Sequence, residues 1–249
     1  MKTKSIIKNN KLQYKNIKIK PQELVTFILL SDHHGYRMKS YGPLSLVNIG
    51  RKKLIDLQIS AIQNTFDNFE IIVCAGFDAD KVYRYIRLEY PNLNIRFVEN
   101  QLYNSSNSCE SLRLSLNNTT NTRVVICDGN LLINPRSLSK IDINHSCALV
   151  EKDGCKTLEI GLNSDNNIVQ HFSFGAKYTW SEILFLNGID IIDSLRKIIA
   201  NYNTKNRFIF EAINELIGMQ HNIRSIINDG KITKINNIKI YHNIKDKRV

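Results

Sequence analysis

Four short apolar runs punctuate the first half of the chain, each closed by a polar or glycine-containing break. They are Leu24–Leu30 (LVTFILL), Glu70–Phe77 (EIIVCAGF), Asn94–Val98 and Arg123–Cys127 (RVVIC). Their length and their β-forming residues predict buried strands. Helical patterns fall between them. Leu54–Thr65 places Leu54, Ile55, Leu57, Ile59, Ala61 and Ile62 at positions compatible with a buried helix face, Asp80–Glu89 does the same with Val82, Tyr85, Ile86 and Leu88, and Cys109–Asn117 follows. Unbroken apolar strands alternating with helices predict an α/β fold, a mostly parallel Rossmann-like sheet flanked by helices. From Ser146 the pattern loosens into a mixed C-terminal part. CALVE, TLEIGL and NIVQHFSF read as strands, Ile189–Asn201 and Phe208–Gly218 as helices, and IRSII and KIYHNI as short β pieces.

No repeat and no long linker divides the pattern, so the expected organisation is one domain over 22–244. A basic flexible arm, 1–21, precedes it and a basic tail, 245–249, closes it. In an open α/β sheet, ligands bind beyond the carboxyl ends of the strands. That rule selects three loops: Ser31–Pro43, Gly76–Asp80 and Asp128–Asn130. The first contains Gly35, which permits close backbone approach to a phosphate, and Arg37, whose planar fork matches phosphate oxygens. A Gly and an Arg also occur at ordinary strand–helix junctions. Asp128, directly after an apolar strand, suits Mg²⁺, which takes one or two carboxylates plus substrate phosphates. With Gly129 and Asn130 behind it, the same residue could equally make a turn. The adjacent His33 and His34 could meet metal or phosphate, or hydrogen-bond within their loop.

Composition narrows the picture little. The 249 residues are 43% hydrophobic, enough for a sizeable core. No apolar run approaches the roughly 18 residues of a membrane span, and the first residues lack the pattern of a secretory signal, so a cytoplasmic protein without membrane contact is expected. The five cysteines show neither a CxxC pair nor zinc-type spacing; Cys74 and Cys127 lie in apolar runs that read as buried strands, and structural or inert roles are expected for the set. The net charge of +11 gathers at the ends: residues 1–20 hold seven Lys and no acid, and 231–249 hold six Lys or Arg against one Asp, leaving 21–230 at −1. Solvated tails explain that distribution better than a nucleic-acid groove, which needs charge on one face.

The segments together resemble the sugar-phosphate and phosphocholine nucleotidyltransferases. LLSDHHGYRM is similar to the family's signature loop, a strand followed by A-A-G-x-G-x-R-M, with Gly35, Arg37 and Met38 at the second Gly, the Arg and the Met. Pro43–Gly50 followed by RKKLI resembles P-K-x-L-…-G-K-P-L-I. Asn100–Leu112 resembles N-x-x-Y-x-x-[ST]-N-x-x-S-L, with one extra residue before Ser111, and VVICDGN resembles the strand with its metal-binding Asp. TWSEILFLNG and FIFEAINELI are similar to the distal half.

The resemblance covers about residues 24–240 and implies a GT-A-like fold. It implies Mg²⁺-dependent transfer of a nucleotidyl group from a nucleoside triphosphate to a phosphorylated sugar or phosphocholine, with pyrophosphate released. Carried over by position, Ser31, His33, Gly35, Gly76, Asn107 and Ser111 would contact the nucleotide. Asp128 and Asn236 would hold the metal, and Arg37 would face the leaving phosphates. Several positions depart from the family: His33 replaces the first Gly, Leu44 stands where a catalytic Lys is expected, and Asn236 replaces an Asp. Lys39 is the nearest substitute cation. Two alternatives stay open: an inactive descendant serving as a binding or assembly module, and a nucleotide-sugar glycosyltransferase using Asp128-Gly129-Asn130 as a loose D-x-D.

Overall fold

A computed structural model of the chain describes residues 23–230 and 232–246. The expected arm lies outside them, and of the expected tail only Lys245 and Asp246 fall inside. The strands are β1 (Val25–Ser31), β2 (Asn48–Ile49), β3 (Lys52–Lys53), β4 (Phe69–Ala75), β5 (Ile95–Glu99), β6 (Arg123–Asp128), β7 (Leu131–Leu132), β8 (Cys147–Glu151), β9 (Ile160–Asp165), β10 (Ile168–Phe174), β11 (Tyr178–Asn187), β12 (Arg224–Ile227) and β13 (Thr233–Lys234). The helices are α1 (Leu54–Thr65), α2 (Ala79–Glu89), α3 (Ser108–Leu116), α4 (Pro135–Leu138), α5 (Ile189–Ile199), α6 (Ile209–Gly218) and α7 (Ile238–Ile244).

The large sheet runs β5-β4-β1-β6-β11-β8-β12-β10-β9. The pairings β5–β4, β4–β1 and β1–β6 are parallel, as the apolar runs predict, and β11 then joins β6 antiparallel and opens the mixed half. Successive residues of β1 point to opposite faces. Ile28 and Leu30 join a core with Cys109, Leu112, Ile192 and Ala212 under α3, α5 and α6. Phe27 and Leu29 join another with Ile55, Ile59, Val82 and Ile86 under α1 and α2. Asp56 ties those last two helices together, accepting hydrogen bonds from the Lys53 backbone and from the hydroxyls of Tyr85 and Tyr90, each at 2.8 Å.

Two differences from the sequence pattern have simple causes. KIYHNI is not β: it lies in α7, where the Asn237 side chain caps Ile240 N at 3.0 Å and Tyr241 and Ile244 pack inward at helical spacing. The TLEIGL strand begins only at Ile160, because Glu159 N bonds back to Lys156 O and the turn leaves Leu158 exposed. The thiols of Cys74 and Cys127 are buried, as expected, as are those of Cys109 and Cys147, while Cys155 is half-buried; burial pushes Cys74 up to about 12. No helix among the described residues is long and apolar enough to cross a membrane.

A small two-stranded pairing sets the site. β13 runs antiparallel to β7, with Lys234 opposite Leu131, and Ile235 N bonds to Asn130 O at 2.9 Å. The C-terminal segment is thereby held against the loop that follows β6. Tyr36 N bonds to Asn236 O at 2.8 Å, which also ties the loop after β1 to this segment.

Candidate active site

A cleft of about 300 Å³ opens at the carboxyl ends of the parallel strands, between them and the mixed half. The loops after β1 and β6 give it Ser31–Gly35 and Asp128–Asn130; Leu44, Asn107 and Asn236 also line it. Close packing fixes the first two loops together. A Cβ on Gly129 would fall 2.2 Å from Ser31 Oγ and 2.6 Å from Leu30 O, so only glycine fits there. A Cβ on Gly76 would meet Tyr103 at 2.5 Å and Asp32 O at 2.9 Å, which places the third loop beside the first although Gly76 does not line the cleft.

The expected residues divide in their placement. Ser31, His33, Gly35, Asn107, Asp128 and Asn236 line the cleft. Ser111 is fully buried and gives its hydroxyl to Asp32. Asn107 sits at the start of α3 with its amide on Asn206 O at 2.8 Å. Arg37 has a left-handed backbone, φ 58°, and is exposed with its guanidinium 5.1 Å from the Tyr36 ring centre. Lys39 is exposed, its ammonium 5.9 Å from the Phe77 ring centre. Neither lines the cleft, whereas Leu44 does: the position where the family pattern carries a Lys faces the site, and it is apolar.

Three charged residues of the cleft were not selected by sequence. Asp32, 2% exposed, receives hydrogen bonds from Ser111 and from Asn100 Nδ2 at 3.2 Å, and its other oxygen meets His33 Nδ1 at 2.7 Å. That bond raises the His33 pKa against the opposing effect of burial, with the Asp32 and Asp128 charges adding to it. Asp32 follows an apolar strand directly, the same signal that picked out Asp128. Glu182 lies inside β11 at φ 56°, where the pairing with β8 slips between Trp180 and Leu184. Such a backbone costs about 1–2 kcal/mol for a non-glycine residue and concentrates at functional positions. The sole signal for it was an acid within an apolar run.

Lys234 is the third. Its ammonium pairs with Glu182 Oε1, so this basic residue of 231–249 lines the cleft and is held by an acid although its side chain is 41% exposed. The Lys234 pKa is raised: burial works against its charge, and the Glu182 and Asp128 carboxylates outweigh that effect. Burial pushes the Asp128 carboxyl up to about 7, helped by the neighbouring Glu182 carboxylate. Ser31 Oγ, Asn130 Oδ1 and Glu182 Oε2 are buried without a hydrogen-bond partner, a cost that a polar ligand in the cleft would relieve.

The distal wall is aromatic. Trp180, Phe208 and Phe210 line the cleft, with Phe208 and Phe210 stacked at 5.9 Å and Phe174 edge-on to Phe210 at 5.6 Å. The expected Mg²⁺ pair, Asp128 and Asn236, does not fit a resident divalent ion. It offers one carboxylate and one amide, the amide oxygen accepts from Asn237 Nδ2 at 2.7 Å, and an ammonium already stands beside the carboxylates. Among the described residues no group of three His, Cys, Asp or Glu could hold a metal.

This architecture, with a cleft at the carboxyl edge of a half-parallel sheet, is that of the nucleotidyltransferases and GT-A-like proteins. Solved structures of low sequence identity share this fold. It is similar to the CTP:phosphocholine cytidylyltransferase of Streptococcus pneumoniae, with TM-score 0.72 and 18% identity over 89% of this chain and 98% of that one. An inositol-1-phosphate CTP transferase from T. maritima gives 0.68 and 14%, covering 89% and 95%. A UDP-glucose pyrophosphorylase gives 0.73 and 10%, covering 90% and 98%. No family model and no curated protein sequence matches the chain.

Proposed function

We propose that the chain binds a nucleoside triphosphate in this cleft and transfers its nucleotidyl group to a phosphorylated small molecule. The observation that carries the reading is the division of the cleft into a polar end, at the loops after β1 and β6, and an aromatic end at Trp180, Phe208 and Phe210. An acceptor phosphate oxygen attacks the α-phosphorus. The bond to the bridging oxygen of the β-phosphate breaks, and pyrophosphate leaves with that electron pair. Such chemistry asks the protein for position and charge rather than for a covalent partner. His33, its protonated form favoured by Asp32, meets the phosphates at the loop, and Arg37 and Lys39 extend the positive field on the rim. Asn107 and the unpartnered Ser31 and Asn130 oxygens supply polar contacts to the nucleoside.

Aromatic faces attract quaternary ammonium groups. The Trp180–Phe208–Phe210 wall therefore favours phosphocholine over a sugar phosphate as acceptor. Leu44 at a position facing the phosphates supports the second reading, a cleft that binds nucleotide without turning it over. Pyrophosphate release is measured with CTP, UTP, GTP, ATP and dTTP, each with phosphocholine or glucose 1-phosphate. The first reading expects release with one nucleotide and phosphocholine, with Trp180→Ala raising the KM for phosphocholine and leaving that for nucleotide. Nucleotide binding without release selects the second reading. Absence of both release and binding with every nucleotide rejects the two together.

A further inference from the structure

We propose that Lys234 takes the place of a divalent cation in this cleft, bridging Glu182 and the nucleotide phosphates so that nucleotide binds without metal. The proposal rests on the nucleotide reading above. Among the described residues lining the cleft, Lys234 is the one Lys or Arg, while Asp32, Asp128 and Glu182 all face the same space. Carboxylates lining a cleft repel a triphosphate unless a cation intervenes. Lys234 is built into that position by the β13–β7 pairing and the bond from Ile235 N to Asn130 O, which fix its backbone against the Asp128 loop.

Glu182 completes the arrangement. Its left-handed backbone within β11 directs a carboxylate at the ammonium, with one oxygen on Lys234 and the other unpartnered. A Lys ammonium has three donors. It keeps one bond to Glu182 and offers the others to phosphate, without leaving the carboxylate uncompensated. The Lys234 side chain is 41% exposed, so the ammonium is reachable from the cleft. Lys39, by contrast, stands outside the lining. The cation absent at Leu44 is thus supplied by β13, whose Ile235 packs in the same apolar cluster as Leu44.

The test measures affinity for the five nucleoside triphosphates by calorimetry, in EDTA and again in excess Mg²⁺, with wild type, Lys234→Met and the double variant Lys234→Met/Glu182→Gln. Wild-type affinity for the best nucleotide is expected to differ by less than about threefold between the two buffers. Lys234→Met is expected to lose about ten- to a hundred-fold in EDTA, the size of a charge-assisted contact. Mg²⁺ should restore much of that loss, because the freed carboxylates then accept the ion; in the double variant, with one carboxylate gone, restoration should be weaker. The double variant also removes the unpaired buried acid, so folding is checked by its ligand-free melt. Wild-type binding only with Mg²⁺ overturns the proposal and leaves the nucleotide reading standing. Unchanged affinity of Lys234→Met in EDTA overturns it too, as does tight Mn²⁺ binding by the ligand-free wild type in electron paramagnetic resonance. No binding in either buffer overturns both readings.

Discussion

The two halves of the sheet carry different shares of the site. The parallel half, β5-β4-β1-β6, supplies a frame: loops locked by Gly76 and Gly129, a buried Asp32 network and a cleft edge with His33 as its cationic candidate. The mixed half, with β11, α6 and the β13 segment beside it, supplies Glu182, the aromatic wall and Lys234. In a fold of this kind ligand chemistry is looked for in the loops of the parallel strands. Here the frame stays at those loops while the one Lys or Arg among the described lining residues comes from β13, which is paired to β7 beside them.

If the halves are two walls of one folding unit, core truncations on either side should act on one transition. Phe27→Ala, which removes the partner of Phe66 in the parallel half, and Phe185→Ala in β11 each delete a fully buried ring of the same core. Each is expected to cost about 3–5 kcal/mol and to shift a single calorimetric melt. Two separate transitions, only one of them shifted, would break the picture of a shared core. The junction of the frame is tested by Gly129→Ala. Its new methyl meets Leu30 O and Ser31, so a loss of about 1–3 kcal/mol is expected; a neutral effect would mean that the two loops are not held as described.

Acid dependence sharpens the electrostatic side. The Asp128 pKa is raised from its ordinary value near 3.8 to about 7, so the folded state favours the protonated carboxyl, and that stability is lost as pH rises from about 4 through 7. His33, also raised, holds its proton more tightly when folded and loses its contribution as pH climbs above 6.5. The ligand-free protein should therefore melt lower at pH 8 than at pH 5.5, and Asp128→Asn should flatten that slope. A melt that rises over this interval contradicts the burial assigned to Asp128. The smallest effect expected is that of Lys39→Ala on nucleotide affinity, less than about threefold, because its ammonium lies over Phe77 outside the cleft. A loss as large as that of Lys234→Met would return the cationic role to the first loop.

How much of this was legible follows from the kind of burial each segment has. Strands buried on both faces show as unbroken apolar runs, so β1, β4 and β6 are readable in the sequence, and the edge strand β5, with Arg96 and Glu99 exposed, is readable by its short β-forming stretch. The helices between them follow the same rule; the α1 boundaries, Leu54–Thr65, match those expected. The mixed half is harder, because its strands are broken by a bulge at Glu182 and by turns such as the one before Ile160. KIYHNI misleads for another reason: in so short a stretch, β-branched residues outweigh a capping Asn237 unless the cap is sought. Among site residues, Asp128 is found by its place after a strand, and Asp32 is found by the same rule once it is applied to β1. Lys234 is hidden by composition. Counted with five other basic residues in 231–249, it reads as solvated charge until its ion pair with Glu182 places its ammonium at the cleft.

The central claim, that a nucleotide occupies the cleft between the two halves, has a reporter already in place. Trp180 is the one tryptophan in the sequence, and it lines the cleft. Its fluorescence is followed while each of the five nucleoside triphosphates is titrated into wild type and into Asp128→Asn, with and without phosphocholine. The account predicts a saturable change with at least one nucleotide, a further change with phosphocholine, and an altered midpoint in Asp128→Asn. A flat response to every nucleotide, together with an unshifted melting temperature at the highest concentration, would contradict it.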